Sequence, residues 1–284
     1  MDNFDHVIEE RRHFVDADKP LRLSVIYEDV WINYPLADYA LRMVGTLLKM
    51  PEKIQAPSVL IYGDPGMGKT ALFERIARAY GFSSGAEKCI ACLTLAEENP
   101  ENSKAFRSLV VRSLTAGVYN NPGLADEILL ASIRSLNIKA LAIDEFNDML
   151  LCSPLEVRKN IKLLKKLSGK PFCLSIIGLG IDDSESVIAY EKQMARRFER
   201  IHLKPWQAGE ELERFLASFE AVLPLKYSSK LYSRSTINFL LKETNGVLDD
   251  ILKRICNAAA YAVLEGGEKI TIDLLRKSKI RPIF

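Results

Sequence analysis

The sequence predicts an α/β protein, a parallel β-sheet flanked by helices, with a smaller all-helical piece behind it. Two observations carry that expectation. Between Ser58 and Leu203, short apolar runs alternate with longer amphipathic stretches, the rhythm of strand–helix–strand units whose strands pair in parallel. After Trp206 the strand-like runs stop and only helical spacing continues. The expected division is a lead-in over 1–55, an α/β domain over 56–205 and a helical lid over 206–284.

Each element has its own signal. In the lead-in, Pro35 suits a first helical turn, and Leu36, Tyr39, Ala40, Met43, Val44 and Leu47 recur at helical spacing. Strands are expected at Ser58–Tyr62, Cys89–Leu95, Ala140–Asp144, Phe172–Ile177 and Arg200–Leu203, with helices near 69–80, 103–117, 123–136 and 154–168. The tail reads as helices at 208–221, 234–244, 247–264 and 271–279.

Composition narrows the class. The chain has 284 residues, 48% hydrophobic and 27% charged, enough apolar material for a large core. No apolar run reaches the roughly 18 residues a bilayer span requires. The opening MDNFDHVIEERRHF lacks the apolar centre of a signal peptide, so the expectation is a cytoplasmic protein with no membrane partner. Basic and acidic residues nearly balance, 39 against 37, which leaves nucleic-acid binding open. The cations Arg158, Lys159, Lys162, Lys165, Lys166 and Lys170 share one face at helical spacing. Their plain reading is a solvated face. Cys89 and Cys92 form a CxxC, yet no second pair or His cluster completes a metal site, and the stretch reads as a buried strand. His6, His13 and His202 are too scattered to form a ligand set.

The strongest motif is Gly63-Asp64-Pro65-Gly66-Met67-Gly68-Lys69-Thr70, running into Ala71. It satisfies G-x-x-x-x-G-K-[ST] between an apolar strand and an amphipathic helix. Glycines let backbone N–H groups turn inward around a phosphate. Lys69 supplies a point charge for the β- and γ-phosphates, and Thr70 a hydroxyl for Mg²⁺. The following helix directs the positive end of its dipole at the same anion.

A second apolar strand, Leu141-Ala-Ile-Asp-Glu145, ends in two carboxylates. Asp144 suits Mg²⁺, directly or through water, and Glu145 suits a general base for the attacking water. The pair makes the site hydrolytic. A guanine-reading Asn-Lys-x-Asp is absent, and the Asp-Glu pair with a helical tail fits an ATPase better than a small-molecule kinase. ATP and Mg²⁺ are the expected ligands.

ATPases of this kind, the AAA+ type, complete the site with a polar residue at the end of the fourth strand and an arginine from a neighbouring subunit. Here the strand end falls on Leu179 or Gly180, which have no polar side chain; Asp182 and Asp183 are the nearest substitutes. Arg196 and Arg197 lie where the arginine finger is expected, and the sequence does not choose between them. In the lid, Asp249 and Asp250 stand where relatives carry a phosphate-contacting arginine, leaving Lys253 or Arg254 as the shifted candidates.

Val30-Trp-Ile-Asn-Tyr-Pro-Leu-Ala37, a helix, and then Leu60-Ile-Tyr-Gly-Asp-Pro-Gly-Met-Gly-Lys-Thr70 resemble the TniB/TnsC group of transposition ATPases. Ala140–Glu145, Ile177-Gly-Leu and Ala195-Arg-Arg-Phe follow in the order and spacing of that group, over roughly 26–265. The resemblance implies an ATP-driven homo-oligomer, a ring or helical filament on duplex DNA, that marks a target for a DDE transposase, with a target-selection protein as a further partner. By the same resemblance ATP sits between subunits, Tyr27 to Tyr34 pack near the adenine, and DNA phosphates are met after the second strand, in Glu97–Lys104 and the helix beyond. Ser103, Lys104 and Arg107 are the candidates there. Two competing expectations are a replication initiator or helicase loader of related architecture, and a signalling NTPase that works without DNA.

Overall fold

The chain opens with two short helices, α1 (Glu9–Arg12) and α2 (Lys19–Ile26). In this computed structural model, which describes residues 4–81, 89–96 and 101–284, neither helix belongs to the α/β core. Residues Met1–Pro35 form one unit with Pro205–Phe284, and Leu36–Lys204 form the other.

The α/β unit follows in sequence: α3 (Pro35–Lys49), β1 (Ser58–Gly63), α4 (Lys69–Tyr80), β2 (Ile90–Thr94), α5 (Ser103–Leu114), α6 (Asp126–Ser135) and β3 (Ala140–Asp144). A 3₁₀ turn at Phe146–Leu151 leads to α7 (Pro154–Leu167), β4 (Ser175–Gly180), α8 (Ser184–Ala189), α9 (Lys192–Ala195) and β5 (Phe198–Leu203). The strands form one sheet in the order β2-β3-β4-β1-β5, and every pairing is parallel. β3 and β4 are buried along their whole length, which is why they read as unbroken apolar runs.

Several element edges differ from expectation: β5 starts at Phe198 rather than Arg200, α6 at Asp126 rather than 123, and β4 runs on to Gly180 rather than Ile177; two further edges have evident local reasons. β4 begins at Ser175 rather than Phe172, because Phe172 and Cys173 both donate backbone N–H bonds to Gly169 O and Cys173 has φ +56. That is turn geometry and cannot continue a ladder. α5 stops at Leu114, before the expected 117, because Ala116 and Gly117 turn left-handed (φ +49 and +84). In α3 the buried stripe is Ala37, Ala40, Val44, Leu47 and Leu48. Tyr39, expected on it, faces out and donates its hydroxyl to Glu199 (3.0 Å).

The helical unit contains α1, α2 and four later helices: α10 (Glu210–Glu220), α11 (Arg234–Thr244), α12 (Leu248–Glu265) and α13 (Ile272–Lys277). α10 starts with Glu210, Glu211 and Glu213, negative charge at the positive end of its dipole. α2 packs on α12 and supplies Arg22, 4% exposed, which donates to Pro224 O and forms a bidentate pair with Glu268. Tyr27 just after α2 donates to Asn257 Oδ1 on α12 (3.0 Å). The N-terminal segment is thereby tied to α12 and to the turns that follow α10 and α12, 202 to 246 residues away in sequence.

Candidate nucleotide site

β1 ends at Gly63, and the loop to α4 turns on Gly66 (φ +78) and Gly68 (φ +81), backbone states that side chains resist. Gly68 is also the residue ahead of the first turn of α4, so the free N–H groups of that helix face the loop. Gly63 has a separate reason to be glycine: a Cβ there would lie 2.2 Å from Leu203 O of the paired strand β5. Met67 is 2% exposed and anchors the loop beneath.

Lys69 is 7% exposed, and its Nζ donates to Gly63 O (2.9 Å) and Asp64 O (2.8 Å). Burial lowers its pKa, against the opposing pull of Glu145, Asp144, Asp182 and Asp64. A buried ammonium curled onto two loop carbonyls, with carboxylates nearby, is a cation held ready for an anionic ligand. Asp144 closes β3 at 4% exposure. Burial pushes its carboxyl up to about 6, opposed in part by a hydrogen bond from the Thr70 hydroxyl. Thr70 and Asp144, expected to share a metal, are therefore in contact across α4 and β3. Hard oxygen donors of this kind, together with the adjacent cation and amide cradle, fit Mg²⁺ with a polyphosphate.

Glu145 leaves the strand at φ +50, a left-handed state that costs a non-glycine residue about 1–2 kcal/mol. Phe146 behind it is fully buried (0% exposed), its ring 3.1 Å from where a Gly178 Cβ would stand. Packing thus holds the turn that aims Glu145. The expected loop, Mg²⁺ pair and base, Gly63 to Ala71 with Asp144 and Glu145, converge at the C-terminal ends of β1 and β3, the two strands that flank β4.

The polar substitutes after β4 have definite places. Asp182 Oδ1 lies 3.4 Å from His202 Nε2, and the His202 ring stacks on Tyr62 (4.6 Å, 4° between planes). Asp183 precedes α8 without making a side-chain cap. The sequence alone passed over His202 and Tyr62; their signal is positional, since they are register partners at the tips of β5 and β1.

The two finger candidates separate cleanly. Arg197 turns inward: its Nη1 donates to Ser168 Oγ (2.6 Å) and Lys165 O (3.3 Å) at the C-terminus of α7, its Nε is buried without a partner, and burial lowers its pKa. Arg196 is exposed and makes no side-chain bond among the described residues. In the helical unit, Lys253 pairs with Asp249, and Arg254 donates to Glu243 (2.9 Å) and Leu275 O (3.1 Å). Tyr34 lies 5.2 Å from Trp206, its hydroxyl pushed up to about 12 by burial.

The expected DNA segment is partly outside the described residues, at 97–100. Ser103, Lys104 and Arg107 fall on the first turns of α5. The Ser103 N–H already donates to Glu156 (2.6 Å), whose carboxyl Lys159 and Ser103 hold down at about 2. Arg107 donates to Pro122 O and Leu124 O and pairs with Asp126 (3.6 Å). The Lys104 side chain has no such engagement among the described residues. Of the α7 cations, Lys159, Lys165 and Lys166 are paired with Glu156, Glu191 and Asp126. Burial pushes the Cys92 thiol up to about 12, far from the thiolate that metal or redox chemistry uses.

Among solved structures, the Pyrobaculum aerophilum Cdc6p shares 19% identity over 90% of this chain and 69% of its own, with a TM-score of 0.58. The Aeropyrum pernix ORC2 protein in its ADPNP–ADP complexes shares 17% over 89% and 70%, with a TM-score of 0.56. The Aeropyrum pernix ORC1 protein in complex with DNA shares 13% over 90% and 68%, with a TM-score of 0.55. At such identities the likeness speaks for the fold, which is the AAA+ P-loop fold expected from the sequence. No curated protein matches the chain. The family model for the bacterial TniB protein matches residues 22–208, and on that match the chain belongs to the TniB family.

Proposed function

We propose that this protein is an ATP-dependent regulator of DNA transposition, which assembles on duplex target DNA and recruits or activates a DDE transposase. The observation that carries the reading is the buried Lys69 beside Asp144 and Glu145, on a glycine-turned loop, in a chain of the TniB family. In this reading the loop amides and Lys69 hold the β- and γ-phosphates of ATP. Thr70 and Asp144 hold Mg²⁺, which supplies charge neutralisation at the phosphate oxygens. Glu145 accepts a proton from the attacking water, and Arg196 reaches the nucleotide of an adjacent copy. Among the described residues no helix is long and apolar enough to cross a membrane.

Turnover is expected to be slow in the isolated chain and faster on assembly, because the finger arrives from another subunit. A low charge per copy is compatible with DNA binding, since an assembly adds many weak phosphate contacts along one duplex. The test is a mobility shift with duplex DNA and a non-hydrolysable ATP analogue, with Lys69→Ala in parallel. Nucleotide-dependent retardation lost in Lys69→Ala supports the proposal; no retardation of wild-type protein removes it. The likeness to ORC and Cdc6 folds favours one second reading, an initiator-like ATPase acting on a helicase. Capture of a helicase rather than a transposase would select it.

A further inference from the structure

β4 ends in Gly180 at the level where the site needs polar groups, and the space over that glycine is filled. A Cβ on Gly180 would stand 2.5 Å from Asn147 Oδ1, 3.2 Å from Asn147 N and 2.3 Å from Ser184 Oγ. Gly180 has none of the positive φ values that demand glycine, so its missing side chain is explained by this filling alone. Asn147 comes from the turn two residues after Glu145. Its Oδ1 accepts the N–H of Ile181, the first residue past β4 (3.0 Å), and its Nδ2 donates to Asp148 (2.9 Å). Ser184 Oγ lies against the same spot, fully buried and without a partner.

We propose that Asn147 is a positioning residue for hydrolysis, its amide standing in for a polar β4 side chain and tying the left-handed Glu145 turn to the loop that carries Asp182. The inference rests on the reading of Glu145 as the base. Phe146 fixes the turn against Gly178 by packing, and the Asp148 N–H donates to Glu145 O (2.8 Å) within it, but neither ties the turn to the end of β4. The hydrogen bond to Ile181 supplies that link by joining the turn to the strand tip next to β1, whose end begins the phosphate loop. Ligand binding draws on Lys69 and the loop amides, with none of which Asn147 shares a hydrogen bond among the described residues. Its loss therefore acts on turnover and leaves affinity alone.

The experiment measures steady-state ATP hydrolysis, affinity for a fluorescent ATP analogue and thermal midpoint for Asn147→Ala, Gly180→Ala, their double variant and Glu145→Gln. Misplacing a catalytic group by about 1 Å costs on the order of 100-fold in rate, so Asn147→Ala is expected to lower kcat about 10–100-fold with analogue affinity within about twofold of wild type. Gly180→Ala, which pushes the amide aside, is expected to do the same, and the double variant to lose no more than either single one. Asn147→Asp keeps the acceptor for Ile181 N–H and is the variant to use if alanine unfolds the protein. It is expected to fall between wild type and alanine. Wild-type turnover in Asn147→Ala, with Glu145→Gln stalled, overturns the role of Asn147 and leaves that of Glu145 standing. Turnover unchanged in Glu145→Gln overturns both. Affinity and thermal midpoint falling together with kcat reduces Asn147 to a structural residue and also overturns the proposal.

Discussion

Arg196 and Arg197 are neighbours with the same charge, yet their surroundings assign them opposite consequences. Replacing Arg197 with alanine removes a charged hydrogen bond at 2.6 Å to Ser168 Oγ and a longer one at 3.3 Å to Lys165 O. A charged hydrogen bond contributes about 1.5–3 kcal/mol, and the longer one about half of that. Against this, about 1–3 kcal/mol returns because the buried, unpartnered Nε is also gone. The net loss is about 1–2 kcal/mol, which for a unit of this size lowers the thermal midpoint by about 2–8 °C. Arg196→Ala removes an exposed side chain with no partner among the described residues and is expected to stay within about 0.5 kcal/mol of wild type. DNA-stimulated ATP hydrolysis should show the reverse order. Arg196→Ala is expected to lose at least about 100-fold, since fingers in related chemistry contribute about 10³–10⁵, while Arg197→Ala keeps most of its turnover below its melting temperature. Differential scanning fluorimetry and a phosphate-release assay read the two effects separately. If Arg197→Ala melted like wild type and alone abolished stimulated turnover, the assignment would be refuted.

Four further variants probe the same geometry. Glu145→Gln should bind ATP normally, stall hydrolysis and leave assemblies on DNA longer-lived, which phosphate release and light scattering would detect. Arg22→Ala takes the guanidinium from Pro224 O and from Glu268, which keeps only Lys226 beside it, and is expected to destabilise the helical unit by about 3 kcal/mol, seen as an early unfolding transition. Burial opposes ionisation of Glu268, and the Arg22 guanidinium more than offsets it, so its pKa lies below the ordinary 4.5. Because the folded value is depressed, the Arg22–Glu268 contribution is complete above about pH 4.5 and fades as pH falls further; the variant's deficit should shrink with it in acid melts. Lys104→Glu should weaken DNA association at every sequence and flatten its salt dependence by about one unit of slope. Arg107→Ala, by contrast, should show mainly a stability loss, as its guanidinium holds the 122–126 segment.

What the sequence made legible follows a physical pattern. β1, β3 and α4 were readable almost to the residue because a fully buried parallel strand and a helix opened by Gly-Lys-Thr leave unmistakable runs. The phosphate loop, Asp144 and Glu145 were readable for the same reason: each lies at the end of such a run. β4 was misplaced at its start because nothing in Phe172-Cys173 announces a positive φ. Helices α8 and α9 were invisible, being six and four residues long, shorter than two periods of any apolar pattern. The choice between Arg196 and Arg197 turns on which side chain rotates toward the end of α7, a tertiary fact with no periodic trace. Asn147 was passed over because its partner is a backbone amide beside a glycine 33 residues on, a relation that no local pattern records.

The helical unit is discontinuous in sequence, and this has a consequence for synthesis on the ribosome. The sheet is finished once β5 has emerged at Leu203, all its strands by then available in one stretch of chain. The segment that carries α2 cannot settle so early. Arg22 waits for Pro224 and Glu268, and α2 for α12. For most of translation the N-terminal segment is a tether with an apolar stripe, Leu23, Val25 and Ile26, and nothing yet to cover it. Nascent chains of this protein are thus expected to be sticky at this segment, and to lose that character only when α12 and the turn carrying Glu268 appear.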